Sequence, residues 1–217
     1  MCVVVIAGGP NKDLTKLLDQ IRNAERIICA DSGADALFAL NTLPDVVWGD
    51  MDSISEKTLQ WLKENHVQNR VFPVEKDMTD SELCLRSLTK DHKILFITSL
   101  LGRLDHVMGN LLLSMRLVKE GYDIVVTDGI TWVYPLYGPN RFTVPERLTD
   151  PAYTVSLIPL DEGAEGVSTI GMKYSLSDKN LIWGSSLTIS NEFDMAKKEH
   201  GFVMKNGAML VMVTPKS

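Results

Sequence analysis

Residues 43–54 read LPDVVWGDMDSI, a stretch that begins with an apolar segment and ends in acidic residues. The segment at residues 45–48 is predicted to form a short strand buried on both faces, as in a parallel sheet covered by helices. One glycine separates it from two aspartates, Asp50 and Asp52. Carboxylates this close repel each other, so we expect either water or a cation between them.

The same alternation of short apolar segments and helical stretches extends outward over residues 1–130. It predicts strands at residues 2–7, 26–30, 45–48, 70–74, 93–98 and 123–127. It predicts helices at residues 13–23, 34–41, 55–65, 80–90 and 105–120. This order indicates a doubly wound parallel sheet with right-handed crossovers.

Local signals refine two of these helices. Thr79 to Glu82 have the spacing of a capping box, which predicts the start of the fourth helix. The fifth helix carries an apolar stripe that is expected to pack in the core, made of Met108, Leu111, Leu112, Met115 and Val118.

Beyond residue 130 the pattern changes to short β-prone segments separated by turn residues, with no helical periodicity. Strands are predicted at residues 132–136, 141–144, 153–159, 186–190 and 207–213. We therefore predict an α/β protein: a doubly wound parallel-sheet domain over residues 1–130, followed by a smaller antiparallel β-sandwich over residues 131–217.

Composition excludes several classes of protein. The 217 residues are 45% hydrophobic and 23% charged, as in ordinary soluble globular proteins. A net charge of −6 argues against a nucleic-acid partner, and no apolar run reaches the length of a membrane span. The three cysteines lack CxxC spacing, and no basic segment precedes the first apolar stretch, so we expect a cytoplasmic protein.

Ligands of open α/β sheets bind beyond the carboxyl ends of the parallel strands. Four consecutive predicted strands, from the second to the fifth, are each followed by acidic residues, and two of these loops add a base. The residues are Asp31; Asp50 and Asp52; Lys76, Asp77 and Asp80; and Arg103 and Asp105. Asp35, in contrast, is attributed to a helix start, and Ser53 to a helix cap.

Carboxylates that are desolvated together have at least one raised pKa, and a hard cation removes that cost. Oxygen ligands with few histidines indicate Mg²⁺, with Mn²⁺ as the alternative. Mg²⁺ bridges carboxylates to substrate phosphates, and Lys76, Arg103 and helix N-termini suit the remaining phosphate oxygens. Phosphoryl or pyrophosphoryl transfer from a nucleotide is therefore the leading reaction class, although the chain has neither a P-loop nor a GxGxxG motif.

The histidines indicate the function less clearly than the acidic residues do. His106 is equally consistent with a phosphate contact, an acid–base group or a structural residue of the first helical turn. His66, His92 and His200 lie in polar surroundings and are expected to be solvated.

Four motifs in this order resemble those of the thiamine pyrophosphokinase family: ADSGAD (30–35), PDVVWGDMDS (44–53), KDMTDSE (76–82) and GRLDH (102–106). SLIPL (156–160), GMKYSL (171–176) and SNE (190–192) are similar to the family's C-terminal β-domain. The resemblance implies transfer of the terminal pyrophosphate of ATP to the hydroxyl of thiamine, which gives AMP and thiamine diphosphate. It also implies a homodimer that holds the vitamin near the subunit interface.

The resemblance also implies roles for single residues. Asp50, Asp52 and Asp80 are expected to hold Mg²⁺. Asp77, which lies in the same KDMTDSE motif as Asp80, is expected to act with them. The residues expected to bind ATP or line its cleft are Asp31, Lys76, Arg103 and His106. The residues expected near the vitamin are Thr188, Ser190 and Asn191, of which Thr188 and Asn191 suit hydrogen bonds to the aminopyrimidine. Asp105 either orients its neighbours or accepts the hydroxyl proton.

Two alternatives remain at this point. A strand followed by D-x-D also opens the pattern of haloacid-dehalogenase-like phosphohydrolases, in which Asp50 would be a nucleophile; Gly49 intervenes here, and the other acidic loops lie outside that scheme. The second alternative is a nucleotide- or metal-binding sensor without turnover.

Overall fold

The computed structural model describes residues 2–10, 14–70 and 77–216. By its internal contacts the chain divides into two compact units, Met1–Ile130 and Thr131–Ser217. Within the described ranges, every helix is too short or too polar to cross a membrane.

The first unit is built on a parallel sheet. Its strands in the described residues are β1 (Cys2–Ile6), β2 (Arg26–Ala30), β3 (Val46–Trp48), β4 (Gln68–Arg70), β5 (Lys93–Ile97) and β6 (Asp123–Thr127). They lie in the order β4-β3-β2-β1-β5-β6, with each neighbouring pair parallel. The chain thus moves from β1 toward one edge and then returns to the other side of β1, so the topological switch point lies between β1 and β5.

Helices connect these strands, as the alternating pattern predicts. They are α1 (Leu18–Arg22), α2 (Gly33–Ala39), α3 (Glu56–Glu64), α4 (Asp80–Arg86) and α5 (Leu104–Lys119), and a 3₁₀ turn, Leu14–Leu17, precedes α1. The central strands are buried along almost their whole length, with Val4, Ile28 and Phe96 fully enclosed. Burial on both faces explains why these strands read as continuous apolar runs.

The helix starts test the capping predictions. Thr79 caps α4, and its hydroxyl accepts a hydrogen bond from the Glu82 N–H at 3.2 Å, which confirms the predicted start. The cap of α3 is Ser55, so the assignment of Ser53 as a cap is wrong. Ser53 lies two residues before that cap, and its hydroxyl accepts from the Ser32 N–H at 3.3 Å instead.

The apolar stripe of α5 is only partly core. Leu111 and Met115 are buried, whereas Met108 and Leu112 are each 48% exposed, so the prediction that the whole stripe is buried is wrong. The stripe covers a wider arc than the face of α5 that packs on the sheet. The polar residue Ser114 takes a buried position because its hydroxyl donates to the Asn110 carbonyl at 2.7 Å.

The fourth strand also differs from the prediction. It spans Gln68–Arg70, so it begins two residues earlier than predicted, and the rest of the predicted segment, residues 71–74, lies outside the described residues.

The second unit is antiparallel. Its strands are β7 (Trp132–Tyr137), β8 (Asn140–Thr143), β9 (Tyr153–Ile170), β10 (Lys179–Leu181), β11 (Gly201–Met204) and β12 (Asn206–Pro215). β12 pairs with β7 and with the first part of β9, and the last part of β9 pairs with β11, which pairs with β8.

β9 passes from one sheet to the other through a bulge. The partner of β12 jumps from Leu160 to Ala164 between two adjacent residues, and Gly163 in the extra segment has φ 106°. Tyr134 of β7 packs against Phe142 of β8 with ring centroids 4.7 Å apart, so the two sheets face each other. The predicted fold class, a parallel-sheet α/β unit followed by a β-rich unit, is confirmed.

Details of the second unit depart from the prediction. Residues 186–190 form turns and not a strand, because the Ile189 N–H bonds back to the Ser186 carbonyl at 3.2 Å. Strand β10, with three residues, and strand β11, with four, are too short to show in the sequence pattern. His200 is buried and not solvated: its Nε2 lies 3.0 Å from the Asp194 carbonyl, and its ring meets Phe193 edge to face.

Candidate active site

Four acidic side chains meet beyond the carboxyl ends of the strands. Asp31 directly follows β2, Asp50 and Asp52 lie in the loop after β3, and Asp80 is the first residue of α4. The carboxyl group of Asp31 hydrogen-bonds that of Asp80, and the carboxyl group of Asp52 hydrogen-bonds that of Asp50. Charge interactions also link Asp31 to Asp50 and Asp52 to Asp80, so the structure brings together acids from three predicted loops.

The carboxyl group of Asp31 is partly buried. Burial raises its pKa to about 7, and the hydrogen bond and negative charge of Asp80 act in the same direction. The Met51 N–H donates to the Asp31 carboxyl group, but no donor among the described residues reaches the buried oxygen Oδ1. Such an oxygen is a ready acceptor for a cation or a proton.

Gly49 is required by this arrangement. It has φ 141°, and a Cβ atom at this position would lie 1.6 Å from Asp31 Oδ1. Only glycine lets the end of β3 approach the Asp31 carboxyl group this closely. The glycine in the sequence GDMDS is therefore part of the acidic site.

A hydrogen bond within the loop links Asp50 and Asp52, the two aspartates of residues 43–54. The Asp52 N–H donates to Asp50 Oδ1 at 3.2 Å, and Met51 between them has φ 69°. The hydrogen bond and the negative charge of Asp50 raise the pKa of Asp52. The two carboxyl groups are thus neighbours whose ionised forms oppose each other.

The four aspartates offer only oxygen atoms, which are the ligands that a hard cation prefers. In the described parts of the chain, no group of three or more His, Cys, Asp or Glu side chains is arranged to hold a metal ion. The carboxyl groups instead form the two hydrogen-bonded pairs, Asp31 with Asp80 and Asp50 with Asp52. All donors are oxygens, two have raised pKa values and one oxygen is buried without a partner among the described residues, which suits Mg²⁺ or Mn²⁺ better than a softer metal.

A basic side chain, Arg103, lies at the start of α5. Arg103 Nη2 lies 2.6 Å from Asp105 Oδ2, and its Nε donates to Asp105 Oδ1 at 3.2 Å, a two-point contact that fixes the guanidinium plane. The same Oδ1 accepts from the His106 N–H at 3.0 Å. Hydrogen bonding to Arg103 lowers the pKa of Asp105 to about 2. This geometry suits an orienting role for Asp105, since a carboxylate with so low a pKa is a weak proton acceptor.

The loops at the topological switch point approach each other closely. A Cβ at Gly9 would lie 3.0 Å from the Ser99 Cβ, and a Cβ at Gly102 would lie 3.1 Å from Pro10 Cγ. Open α/β sheets bind ligands at this crevice. Gly8 and Gly9 directly follow the first strand in the sequence, but no local pattern identifies Ser99 as a neighbour of Gly9.

Two further predicted site residues belong to the loop after β4. Asp77 is exposed, and Lys76 lies outside the described residues.

The predicted vitamin contacts lie in the second unit. The Thr188 hydroxyl donates to the Leu157 carbonyl at 2.6 Å. The Asn191 amide donates to the Tyr174 carbonyl at 2.8 Å, and its oxygen accepts from the Tyr174 N–H at 3.0 Å. Both side chains are buried, whereas Ser190 is exposed. Thr188 and Asn191 therefore hold the backbone of this region in place in the described structure.

Several large apolar side chains near these residues in sequence are exposed, which the sequence pattern does not predict. They are Tyr174, Ile182, Trp183, Leu187, Ile189 and Met195.

A cavity of about 340 Å³ lies at the amino ends of β1 and β2, at the sheet edge opposite to the acidic loops. Three of its polar lining residues, Ser87, Thr89 and His92, already bond to neighbouring groups, and no cluster of carboxylates lies among the lining residues, so we assign the chemistry to the acidic edge.

Comparison with known proteins agrees with this geometry. The family profile described as "Thiamin pyrophosphokinase, catalytic domain" matches residues 17–126, and "Thiamin pyrophosphokinase, vitamin B1 binding domain" matches residues 141–207. The first match alone spans more than half of the 217 residues.

Individual relatives match along the whole chain. A thiamine pyrophosphokinase of Bacillus subtilis (strain 168) is 28% identical over 211 residues, 96% of each chain. The crystal structure of thiamine pyrophosphokinase from Bacillus subtilis aligns with a TM-score of 0.82 and 26% identity, and covers 100% of both chains. That of thiamin pyrophosphokinase from Geobacillus thermodenitrificans aligns with a TM-score of 0.82 and 26% identity, over 100% of this chain and 99% of the other. The chain belongs to the thiamin pyrophosphokinase family.

Proposed function

We infer that the chain is a thiamine pyrophosphokinase, which transfers the terminal pyrophosphate of ATP to the hydroxyl of thiamine and gives thiamine diphosphate and AMP. The observation that carries this inference is the meeting of Asp31, Asp50, Asp52 and Asp80 at one sheet edge, inside the segment that matches the catalytic profile. Residues 1–130 would form the nucleotide- and metal-binding domain, and residues 131–217 would contribute to thiamine binding and dimerisation.

Asp50, Asp52 and Asp80 would hold Mg²⁺, or Mn²⁺ in its place, with Asp31 beside them. The bound cation would neutralise negative charge on the phosphate chain. The support for this assignment is the crowding of carboxyl groups: burial and the Asp80 carboxyl group raise the pKa of Asp31, and the Asp50 carboxyl group raises that of Asp52, a cost that a bound cation would remove.

The phosphates of ATP would also meet bases and backbone N–H groups. Arg103 presents an exposed guanidinium that Asp105 holds in a defined plane. Lys76 and His106 would add further contacts to the phosphates, and Asp77 would assist the metal-binding acids. Positive charge from Arg103 at the start of α5 combines with the positive end of the helix dipole.

The acceptor would lie against the second unit. Thr188, Ser190 and Asn191 belong to the segment that matches the vitamin B1 binding profile. Because the side chains of Thr188 and Asn191 bond to backbone groups, we propose that they act on thiamine chiefly by shaping this segment. The exposed apolar side chains of this segment suit a homodimer in the cytoplasm, with the vitamin near its interface.

In the reaction, the thiamine hydroxyl oxygen forms a bond to the β-phosphorus, and the bond from that phosphorus to the oxygen of AMP breaks. The hydroxyl proton leaves, and AMP departs with the bonding electron pair. Catalysis rests on positioning and charge neutralisation, as in other phosphoryl transfers. The low pKa of Asp105 makes it a poor candidate for the proton acceptor.

Incubation of the purified chain with ATP, Mg²⁺ and thiamine tests the proposal. We expect AMP and thiamine diphosphate in equal amounts. Release of inorganic phosphate without dependence on thiamine would support a phosphohydrolase, and binding without AMP would support a sensor; either result would overturn the proposal.

A further inference from the structure

The loop at residues 31–35 contacts the loop at residues 49–55 at successive points. The Asp31 carboxyl accepts from the Met51 N–H, and the Ser32 N–H donates to the Ser53 hydroxyl at 3.3 Å. The backbone N–H of Asp31 also bonds to the carbonyl of Trp48, where the second loop begins, at 2.9 Å. The second loop is thus attached to the first along its length.

Asp35 makes the last of these contacts. Its Oδ1 accepts from the Ser55 hydroxyl at 2.7 Å and from the Ser55 N–H at 3.3 Å, and its Oδ2 lies 3.4 Å from the same N–H. Ser55 in turn caps α3 by accepting from the Thr58 N–H. Asp35 therefore fixes the point at which the acidic loop becomes a helix.

This loop needs external support for two reasons. Met51 has φ 69°, a conformation that residues other than glycine rarely adopt and that persists only when surroundings enforce it. The carboxylates of Asp50 and Asp52 also repel each other when ionised, which favours opening of the loop. The contacts from residues 31–35 oppose both effects.

We propose that Asp35 is a positioning residue for pyrophosphate transfer: it holds the loop of Asp50 and Asp52 in its metal-binding arrangement through Ser55. The proposal rests on the proposed function and adds to it a residue that the sequence pattern attributes to a helix start. The Asp35 carboxylate bonds to Ser55, so its proposed action on the site passes through the loop.

A matched control separates positioning from simple stabilisation. Asp45 also accepts a backbone hydrogen bond in the first unit, from the Ile27 N–H at 2.7 Å, but it lies at the amino end of β3. Asp45→Ala removes a comparable contact at the opposite sheet edge. Asp35→Asn keeps an oxygen acceptor for Ser55, whereas Asp35→Ala removes it.

The first readout is amide hydrogen exchange at residues 49–55 of the metal-free protein. We expect Asp35→Ala to speed exchange there by about tenfold, while Asp35→Asn and Asp45→Ala leave these residues within about twofold of wild type. If Asp35→Ala leaves exchange in the loop unchanged, or if Asp45→Ala speeds it equally, the proposal is overturned. This readout holds even if the wild-type chain forms no AMP, a result that would contradict the proposed function alone.

The second readout is turnover as a function of Mg²⁺ concentration. Asp35→Ala should raise the Mg²⁺ concentration for half-maximal rate by about tenfold, as partners of metal ligands typically do. Asp35→Asn should restore most of this loss, and Asp45→Ala should lower Tm without moving the Mg²⁺ midpoint. If Asp35→Ala proves poorly folded, Ser55→Gly removes the shortest of these contacts, the hydroxyl bond to Asp35 Oδ1, with little loss of capping, and the Mg²⁺ midpoint should then move in the same direction by a smaller amount. An unchanged midpoint in the folded variant would contradict the proposal.

Discussion

Asp31 and Asp80 share a hydrogen bond between their carboxyl groups, although one follows β2 and the other begins α4. Such a pair exists only while one of its members holds a proton or a cation takes the proton's place. We therefore expect the acidic site to respond to pH and to the proposed metal ion, and we expect substitutions of its residues to change both responses.

The stability of the metal-free protein should depend on pH through Asp31. Its folded-state pKa is about 7, above the ordinary value of 3.8, so the folded state holds this proton more tightly than the unfolded state does. The resulting stability is fully present below pH 3.8 and is lost as the pH rises through 7.

Asp31→Asn removes this titration. Relative to wild type, the variant should gain unfolding free energy between pH 5 and pH 8, on the order of 1 kcal/mol because partial exposure screens the effect. Urea denaturation in EDTA at both pH values measures the difference. A gap between variant and wild type that does not change with pH would contradict the assignment.

Removal of charge from the proposed metal ligands should abolish most turnover. Asp52→Asn or Asp80→Asn is expected to lower kcat by at least about 100-fold, because a neutral amide neither balances nor orients a divalent cation as a carboxylate does. Circular dichroism should show an intact fold. Near-full activity of either variant at limiting Mg²⁺ would remove that residue from the metal site.

Gly49→Ala should damage the site through sterics. The added methyl group would lie 1.6 Å from Asp31 Oδ1, so the variant should lose about 1–3 kcal/mol of unfolding free energy or displace Asp31. Gly109→Ala is the control, because a Cβ there meets nothing within 4 Å and alanine favours the helix by about 1 kcal/mol. Thermal denaturation should move Tm in opposite directions, and equal shifts would show that Gly49 is not constrained.

Arg103 and Asp105 should behave as one unit. Arg103→Ala is expected to raise the KM for ATP by about tenfold, and Asp105→Asn should raise it less, by loosening the guanidinium. Since Asp105 acts through Arg103, adding Asp105→Asn to Arg103→Ala should have little further effect on KM or kcat. A large additional loss of kcat in the double variant would show that Asp105 has a separate role, such as proton acceptance.

Asn191→Ala should affect thiamine more than ATP. The change removes the hydrogen bonds to the N–H and carbonyl of Tyr174, which are partly buried, at a cost of about 1 kcal/mol. We expect a higher KM for thiamine with the KM for ATP within about twofold of wild type. Steady-state kinetics with each substrate varied in turn measures this, and equal increases for both substrates would contradict the assignment to the acceptor side.

The sequence predicts the parallel sheet well because buried strands produce continuous apolar runs, as at Val4 and Phe96. It locates the acidic edge for the same reason, since the end of each such run is visible. The sequence pattern predicts a strand at residues 186–190 because Leu187 and Ile189 are typical of strands. In the structure both side chains are exposed and the segment forms turns. This outcome depends on tertiary contacts, which a local sequence pattern does not contain.

The contacts between loops could not be read from spacing. The partner of Asp35 is Ser55, 20 residues away, and the partner of Asp31 is Asp80, 49 residues away. A helix-start aspartate looks the same whether it caps its own helix or supports a neighbouring loop. Only the fold distinguishes the two.

The most direct test of the central claim follows the phosphates of ATP. The chain is supplied with thiamine, Mg²⁺ and ATP that carries a ³²P label at the β-phosphorus, and all products are separated and counted. We expect labelled thiamine diphosphate, unlabelled AMP in equal amount, and no thiamine monophosphate or ADP. Labelled ADP with thiamine monophosphate, or labelled products without thiamine, would contradict the central claim.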